Sequence, residues 1–254
     1  MSRILSDQVV LVSGAGRGLG AAIATAFARE GAQVIINYRA SRSQAEALAA
    51  RLGARANPVQ ADVRDETQVR RMFDHVQATV GSVTTIVHNA LADYRFNGDA
   101  RDTIATLTPT KLLDQVETAC GGALTLLQHA APAMSQAGFG RMITIGSNLV
   151  QHPVVPYHDY TAGKAALLAF TRTAAAELGP RGITVNMVSG GLLRTTDASA
   201  ATPEAVFDII AANTPLRRVT TPDELADAVL FFASPWARAI TGQNLIVDGG
   251  LVFG

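Results

Sequence analysis

The sequence predicts an α/β protein with one doubly wound, parallel sheet of about seven strands and helices on both faces. Short apolar runs alternate with longer alanine-rich stretches along all 254 residues, and strands that alternate with helices are typical of parallel βαβ units. The apolar runs are continuous, which indicates strands that are buried on both faces. No proline-rich or low-complexity segment interrupts this pattern, so we expect a single domain over residues 1–254.

The elements follow from these runs in chain order. The short apolar runs are predicted as strands at residues 9–13, 33–37, 56–61, 84–88, 141–146, 183–188 and 244–248. The alanine-rich stretches between them are predicted as helices at residues 21–30, 43–52, 66–80, about 110–137, 161–178 and 222–233.

Helix boundaries carry their own signals. Asp65 is placed to cap the third helix, with Gln68 three residues on as in a capping box. Pro222 fits the first turn of the last helix, and Gly179-Pro180 ends the helix at 161–178. The least regular segments are 92–107 and 192–215. Because ligands bind at the carboxyl ends of parallel strands, we expect a substrate lid near 192–215.

Charge and composition narrow the class of protein. Lys and Arg number 21, as do Asp and Glu, so the chain shows no basic excess for nucleic acid or an anionic membrane. No apolar run approaches the roughly 20 residues of a membrane helix. The single cysteine, Cys120, agrees with a reducing compartment, and no His/Cys/Asp/Glu cluster has metal-ligand spacing. We expect a cytoplasmic protein with no metal, nucleic-acid or membrane partner.

A glycine-rich loop, SGAGRGLG at residues 13–20, joins the first strand to the first helix. Small residues there let backbone N–H groups approach a pyrophosphate, and the helix dipole favours its charge. Gly14, Gly18 and Gly20 follow a G-x-x-x-G-x-G spacing, because Leu19 occupies the last position of the commoner G-x-G-x-x-G. A tight turn without a ligand is the alternative, but the place in the first βα unit favours dinucleotide binding.

The end of the second strand indicates which dinucleotide binds. An NAD site usually has a carboxylate there that binds the ribose 2′-hydroxyl, whereas this chain has Asn37, Tyr38 and Arg39. Arg17 lies in the glycine loop and Arg42 follows nearby, and guanidinium groups suit a 2′-phosphate. We therefore expect Tyr38 and Arg39 at the cofactor, with NADP(H) preferred and NAD(H) possible. Ordinary solvated arginines are the alternative.

Tyr160 and Lys164 lie at the start of the alanine-rich helix that is predicted at 161–178. Residues four apart share one helix face, so both side chains can point into the same cleft. Lysine is rarely buried without a reason. The alternative is that Tyr160 packs in the core while the stem of Lys164 carries its ammonium out to water.

These motifs together resemble the short-chain dehydrogenase/reductase family over essentially the whole chain. After the glycine loop, Asp62-Val63 follows the third strand and residues 88–90 (HNA) follow the fourth. Ser147 follows the fifth strand, and Tyr160 and Lys164 come 13 and 17 residues later. The segments SGG at 189–191 and VDGG at 247–250 complete the order. Each motif is weak alone, and the ordered set carries the resemblance.

The resemblance implies a Rossmann-type fold and an NAD(P)-dependent oxidoreductase that acts on CH–OH or C=O groups. It implies Ser147, Tyr160 and Lys164 as the catalytic group. The implied cofactor contacts are Gly14, Arg17, Gly18 and Leu19 at the pyrophosphate and adenosine ribose, Asp62 and Val63 at the adenine, Asn89 and Ala90 at its ribose, Leu193 and Thr195 at the nicotinamide carboxamide, and Tyr160 with Lys164 beside the nicotinamide ribose.

The chemistry of these residue types fits carbonyl reduction. A free tyrosine, with a pKa near 10, is a poor general base at neutral pH. A nearby ammonium and an oxidised nicotinamide both favour phenolate, so we expect the two together to lower the pKa of Tyr160. In the reductive direction Tyr160 would protonate the alkoxide, while Ser147 hydrogen-bonds the carbonyl oxygen.

Three positions depart from the family pattern. A catalytic asparagine usually stands in the helix before the serine strand, and Ala119 occupies that position here. Leu91 follows Asn-Ala where glycine is usual, and the stretch after it is longer than usual. Gly190-Gly191 replaces Pro-Gly, which loosens the approach to the nicotinamide loop. Loss of one relay member commonly slows catalysis without abolishing it, so we expect an active enzyme.

Within the family, residues 37–41, 161–186 and 247–250 are most similar to 3-oxoacyl-acyl-carrier-protein reductases of fatty acid biosynthesis. This implies NADPH-dependent reduction of a small-molecule or acyl-carrier-bound ketone. Because a fold and a catalytic group do not identify a substrate, two alternatives stay open. One is a reductase or dehydrogenase of a sugar, polyol or other small carbonyl. The other is a weakly active cofactor-binding regulatory protein, which Ala119 favours.

Partners are also implied by the resemblance. Members of the family assemble as tetramers, so a homotetramer or a dimer is expected, with Trp236 packing near the subunit interface. Binding of an acyl carrier requires basic residues at the mouth of the cleft, for which Arg95, Arg101 and Arg194 are candidates.

Overall fold

A computed structural model describes residues 3–92, Tyr94, Phe96 and residues 101–253. Its strands are β1 (Val9–Val12), β2 (Gln33–Tyr38), β3 (Ala56–Gln60), β4 (Thr85–His88), β5 (Gly140–Ser147), β6 (Ile183–Gly190) and β7 (Asn244–Val247). Within the described residues these seven strands form one parallel sheet in the order β3-β2-β1-β4-β5-β6-β7. The predicted doubly wound α/β fold is therefore confirmed.

The helices follow the strands in alternation. They are α1 (Gly18–Arg29), α2 (Arg42–Leu52), α3 (Glu66–Thr79), α4 (Pro109–Val116), α5 (Gly122–Ala137), α6 (His158–Leu178), α7 (Glu204–Asn213) and α8 (Pro222–Ala233).

Two apolar cores lie on opposite faces of the sheet. Side chains alternate along β1, so Val10 and Val12 belong to one core and Leu11 to the other. Helices α1, α2 and α8 pack on the first face, and α3, α5 and α6 pack on the second. Because each central strand is covered on both sides, its sequence has to be continuously apolar.

The three helix boundaries predicted from capping, proline and glycine signals are confirmed, whereas α1 and α6 begin three residues before the predicted 21 and 161. Asp65 accepts a hydrogen bond from the backbone N–H of Gln68 at 3.1 Å and begins α3. Thr221 and Glu224 form a reciprocal capping box at the start of α8. Helix α6 ends at Leu178, where a short 3₁₀ turn, Gly179–Arg181, begins.

The helix predicted around residues 110–137 is interrupted. A π-helical turn, Glu117–Gly121, separates α4 from α5. The paired glycines Gly121 and Gly122 lower the helix propensity at this point, and a Cβ on Gly122 would lie 2.7 Å from Cγ2 of Val63. The turn therefore lies tightly against the loop after β3, and such turns are frequent at functional sites.

The segment 192–215 is more regular than predicted. It contains α7, which follows Pro203 and buries Phe207. A proline at the beginning of a helix is a recognised signal in the sequence. The expectation of an irregular segment was therefore wrong for the residues of α7.

No helix in the described part of the chain is long and apolar enough to cross a membrane. Over the same residues, no group of three or more His, Cys, Asp and Glu side chains lies close enough to hold a metal ion.

Candidate active site

The candidate site lies at the carboxyl ends of the central strands. The sheet order places β1 beside β4, so the chain leaves β1 toward β2 on one side and returns to β4 on the other. A crevice opens at such a reversal of strand order, and ligands of open α/β sheets bind there. The predicted motifs at 13–20, 88–90 and 147 all follow strands that end at this crevice.

The glycine loop is shaped by close backbone contacts. Gly14 and Gly18 adopt positive φ angles of 63° and 55°, which disfavour side chains. A Cβ on Gly20 would lie 2.3 Å from the carbonyl oxygen of Gly14. The Asn89 amide donates hydrogen bonds to the carbonyl oxygens of Ser13 at 3.2 Å and Gly14 at 3.1 Å. The loop is thus fixed by glycines and by one asparagine.

The start of α1 has the properties of an anion site. Its N-cap residue, Arg17, makes no side-chain capping hydrogen bond within the described structure, so the first-turn N–H groups are left for another acceptor. Such groups at a helix N-terminus, together with the helix dipole, suit a pyrophosphate. The Arg17 guanidinium lies 3.6 Å from the carboxylate of Asp197, and both side chains are exposed.

The strand ends beyond the loop carry the other residues expected at the adenosine. Arg39 follows the buried Tyr38, at the end of β2. Asp62 receives a 2.8 Å ion pair from Arg64, which also lies 3.1 Å from Asp114. The Arg64 guanidinium holds the pKa of Asp62 below its usual range, and Arg39 acts in the same direction. The prominence of Arg64 was not predicted.

The structure brings Ser147, Tyr160 and Lys164 together. Ser147 is the last residue of β5, Tyr160 lies in the first turn of α6, and Lys164 follows one turn later. All three side chains are buried. The Lys164 Nζ donates to the carbonyl oxygen of Ile145 at 2.6 Å and lies 5.6 Å from the centre of the Tyr160 ring.

Burial sets the protonation states of this group. It raises the pKa of Tyr160 to about 12, against a smaller opposing effect of a hydrogen bond with Ser147. Burial also lowers the pKa of Lys164 to about 8. The expectation that the ammonium lowers the pKa of Tyr160 was therefore wrong, because desolvation outweighs any attraction of the ammonium. The effect of the oxidised nicotinamide on this pKa stays a prediction. The Tyr160 phenol keeps its proton at neutral pH.

A narrow cleft lies beside Lys164. Ala119 faces it, as does the buried Gln115 one turn earlier on α4. The hydroxyl of Thr118 is buried and has no hydrogen-bond partner among the described residues. The lining residues are Leu91, Ala92, Gln115, Thr118, Ala119, Tyr160, Gly163 and Lys164. Gln115 and Thr118 were not predicted, although Gln115 lies four residues before Ala119, on the same helix face.

His88 is buried at the end of β4. Its Nδ1 lies 3.1 Å from the hydroxyl of Ser13, which also accepts the backbone N–H groups of Asn89 and Ala90. Burial and the nearby Lys164 lower the pKa of His88 to about 4. The imidazole is therefore neutral and supports the loop after β4.

The segment after β4 supplies a feature that the sequence did not predict. The ring of Tyr94 stacks on Tyr160, with centroids 5.1 Å apart and planes at 29°. Phe96 meets Tyr160 edge to face at 5.1 Å. Aromatic residues separated by more than 60 positions give no local signal, so this contact could not be read from spacing.

The segment after β6 lies on the other side of the crevice. Leu193 is buried and its carbonyl oxygen accepts a 2.8 Å hydrogen bond from the hydroxyl of Ser199. Thr195, by contrast, is exposed. Arg194 forms an ion pair with Glu204, at the start of α7. Of the other candidates for carrier binding, Arg101 is exposed and Arg95 lies outside the described residues.

Comparisons with known proteins agree with this geometry. A family model described as enoyl-(acyl carrier protein) reductase, a model of short-chain dehydrogenases/reductases, matches residues 14–252. The 3-oxoacyl-acyl-carrier-protein reductase FabG of Staphylococcus epidermidis is 33% identical over 249 residues, which cover 96% of this chain and 99% of the relative.

Two solved structures are also similar. Gluconate 5-dehydrogenase from Burkholderia cenocepacia, in complex with NADP and tartrate, gives a TM-score of 0.84 at 30% identity and covers 96% of this chain and 94% of its own. A structure from Agrobacterium tumefaciens gives a TM-score of 0.87 at 26% identity, with 98% of each chain covered.

Proposed function

Because this chain belongs to the short-chain dehydrogenase/reductase family and is an NAD(P)-dependent oxidoreductase, we propose that it reduces the ketone of a 3-oxoacyl thioester with NADPH. One observation carries the proposal: Ser147, Tyr160 and Lys164 converge in a buried cleft where the phenol of Tyr160 stays protonated. A protonated phenol beside a serine hydroxyl suits proton donation to an alkoxide.

The crevice fits a dinucleotide. The close approach of Gly20 to Gly14 and the uncapped N-terminus of α1 leave room and donors for a pyrophosphate. The residues that would hold the cofactor are Gly14, Arg17, Gly18, Leu19, Tyr38, Arg39, Asp62, Val63, Asn89, Ala90, Tyr160, Lys164, Leu193 and Thr195. When bound, the nicotinamide supplies the hydride. Arg17 and Arg39, with no carboxylate at the end of β2, support a preference for NADPH over NADH.

The catalytic residues divide the remaining work. The hydroxyls of Ser147 and Tyr160 hold the carbonyl oxygen and stabilise its developing negative charge. Tyr160 transfers its proton to that oxygen. Lys164, whose ammonium is held by the carbonyl of Ile145, stabilises the phenolate that remains and binds the ribose hydroxyls of the cofactor. The polar side chains of Gln115 and Thr118 compensate for the missing amide at Ala119.

We further infer the organisation around this site. Residues 1–254 form a single domain, and the segment near 192–215, with α7, is the lid over the substrate. The substrate is free or borne by an acyl carrier protein, and the chain assembles as a homotetramer or a dimer. The single tryptophan, Trp236, is 79% exposed, which supports an interface at that end of the molecule.

A second candidate is a dehydrogenase of a sugar acid or polyol, supported by the similarity to gluconate 5-dehydrogenase. A weakly active regulatory protein is the third, supported by Ala119. The experiment that separates the three candidates measures the oxidation of NADPH and of NADH with a short 3-oxoacyl thioester and with 5-keto-gluconate. It compares the wild type with the Tyr160→Phe variant.

NADPH-selective reduction of the thioester, lost by at least about 100-fold in the Tyr160→Phe variant, supports the proposed function. Reduction of the keto acid alone transfers the assignment to the second candidate. Tight NADPH binding without turnover of either ketone leaves the regulatory candidate.

A further inference from the structure

Three aromatic side chains cluster beside Tyr160, and we name Tyr94, Phe96 and Tyr157 the aromatic wall. Tyr94 and Phe96 both contact the Tyr160 ring. Tyr157 meets Phe96 at 5.6 Å and Tyr94 at 5.9 Å, both near-perpendicular. Tyr94 and Phe96 also contact each other at 5.2 Å. The four rings therefore form one continuous apolar surface beside the phenol that protonates the product.

Hydrogen bonds tie the wall to the site from two directions. The Tyr94 hydroxyl donates to Oδ1 of Asp159 at 3.2 Å, and the same oxygen accepts the backbone N–H of Tyr160 at 2.8 Å. The backbone N–H of Phe96 donates to the carbonyl oxygen of Ala198 at 3.3 Å. The wall is thus anchored to the catalytic helix and to the segment after β6.

The chemistry of this surface discriminates between substrates. An alkyl chain beside the reacting carbonyl gains from contact with ring faces, because its apolar surface is removed from water. The hydroxyls of a sugar acid would lose water against the same rings without a replacement partner. A substrate carboxylate near the wall would also face the carboxylate of Asp159, which repels it.

We propose that Tyr94 and Phe96 are specificity-determining residues that select ketones with an apolar acyl chain over polyhydroxy keto acids. The inference rests on the proposed function and deepens it, because it names the part of the substrate that the wall binds. The observed contacts of the wall are with the ring of Tyr160, so we expect its removal to change selectivity more than the chemical step.

The experiment compares kcat/KM for 3-oxohexanoyl-N-acetylcysteamine and for 5-keto-gluconate. The variants are Phe96→Ala and Tyr94→Ala, with Phe96→Leu as a milder change if Phe96→Ala does not fold. Tyr94→Phe keeps the ring and removes only its hydroxyl. Ile104→Ala is the matched control, because Ile104 lies in the same connection between β4 and α4 and is 77% exposed.

We expect the wild type to prefer the thioester. Each alanine variant should lower the ratio of the two kcat/KM values by about tenfold or more, mainly through KM of the thioester. Ile104→Ala should leave the ratio unchanged, and Tyr94→Phe should keep it within about threefold, because the ring contact persists. Unchanged NADPH dissociation constants show that the variants are folded.

A wild-type preference for 5-keto-gluconate overturns the inference, as does an unchanged ratio in the folded alanine variants. The proposed function fails if the wild type does not reduce the thioester, whether or not it reduces 5-keto-gluconate, and the inference then falls with it. The inference alone fails if the wild type prefers the thioester and the folded alanine variants keep the same ratio.

Discussion

The two sides of the cleft are built by different means. On the cofactor side, Gly14, Gly20 and Asn89 hold neighbouring backbones at contact distance. On the substrate side, Tyr94 and Phe96 meet a helix that begins more than 60 residues later, and Phe96 is joined to the segment after β6. Backbone geometry restricts residue type at each position, whereas contacts between distant side chains do not. The comparison therefore teaches that the cofactor side can be read from local motifs and the substrate side cannot.

The largest expected effect comes from one methyl group on the cofactor side. In Gly20→Ala the new Cβ would lie 2.3 Å from the carbonyl oxygen of Gly14 and 2.7 Å from Nδ2 of Asn89, so the loop has to shift. We expect a loss of about 2 kcal/mol in the free energy of unfolding. Because the displaced loop no longer fits the pyrophosphate, we also expect the NADPH dissociation constant to rise by about 30-fold, equivalent to a separate loss of about 2 kcal/mol in binding free energy.

Urea unfolding and isothermal calorimetry measure the two effects. Gly179→Ala is the matched control, because a Cβ there meets nothing within 4 Å. An equal, small effect of both variants would contradict the account of a sterically fixed cofactor side.

The next effect concerns the buried ammonium between the two sides. Burial lowers the pKa of Lys164 from 10.5 to about 8, so the unfolded chain binds this proton more tightly than the folded chain between these values. Stability due to Lys164 therefore rises as the pH increases from about 8 to about 10. The raised pKa of Tyr160, about 12, opposes this only above pH 10.

Lys164→Met removes this contribution. The free energy of unfolding of the wild type, measured by urea titration relative to the variant, should increase over that pH range. A difference that is constant with pH would show that the Lys164 pKa is not lowered.

A smaller effect tests cofactor choice. Arg39→Ala should lower the ratio of NADPH to NADH affinity by about tenfold, since a charge-assisted hydrogen bond to a phosphate contributes about 1.5 kcal/mol or more. The measurement is fluorescence titration with both cofactors. Arg51→Ala, on exposed residue Arg51 near the end of α2, removes the same charge far from the strand end. An equal change of the NADPH-to-NADH affinity ratio in the two variants would mean that net charge, and not the position of Arg39, sets the cofactor preference.

The smallest effect is expected where the two sides meet. The carboxylate of Asp197 lies 3.6 Å from the guanidinium of Arg17 and competes for it with the 2′-phosphate on the adenosine ribose, which only NADPH carries. In Asp197→Asn we expect NADPH to bind about two- to fivefold more tightly, the range of an exposed ion pair, with NADH unchanged. Titrations at low and high salt measure the difference, which salt should reduce. Tighter binding of both cofactors alike would contradict this competition.

Much of the fold was accessible from the sequence, because a strand buried on both faces has to be continuously apolar. All seven predicted strands are present, and the cap at Asp65 is local chemistry that spacing reveals. The π turn at Glu117–Gly121 was missed because one extra residue in a helix leaves no distinct pattern. Helix α7 was missed because the whole of 192–215 was taken as irregular, although Pro203 stands directly before the helix.

The candidate site likewise has features that the sequence predicted and features that it did not. The convergence of Ser147, Tyr160 and Lys164 followed from their order and spacing. The direction of the Tyr160 pKa shift did not, because the depth of burial depends on everything that packs around the ring. The place of Gln115 and Thr118 at the cleft could not be predicted, because it depends on the packing of α4 against α6. Gly163 lets the two helix backbones approach each other there.

The position of β1 in the middle of the sheet also has a consequence for biosynthesis. Strand β1 pairs with β2 along one side and with β4 along the other, where Val10 lies opposite Thr85. While the chain emerges from the ribosome, β1 can pair on one edge only until β4 has been synthesised. An apolar strand with an unpaired edge is prone to association, and non-local pairings form slowly. The nascent chain therefore keeps an unpaired apolar edge on β1 until residues 85–88 have emerged, and one on β4 until β5 has followed.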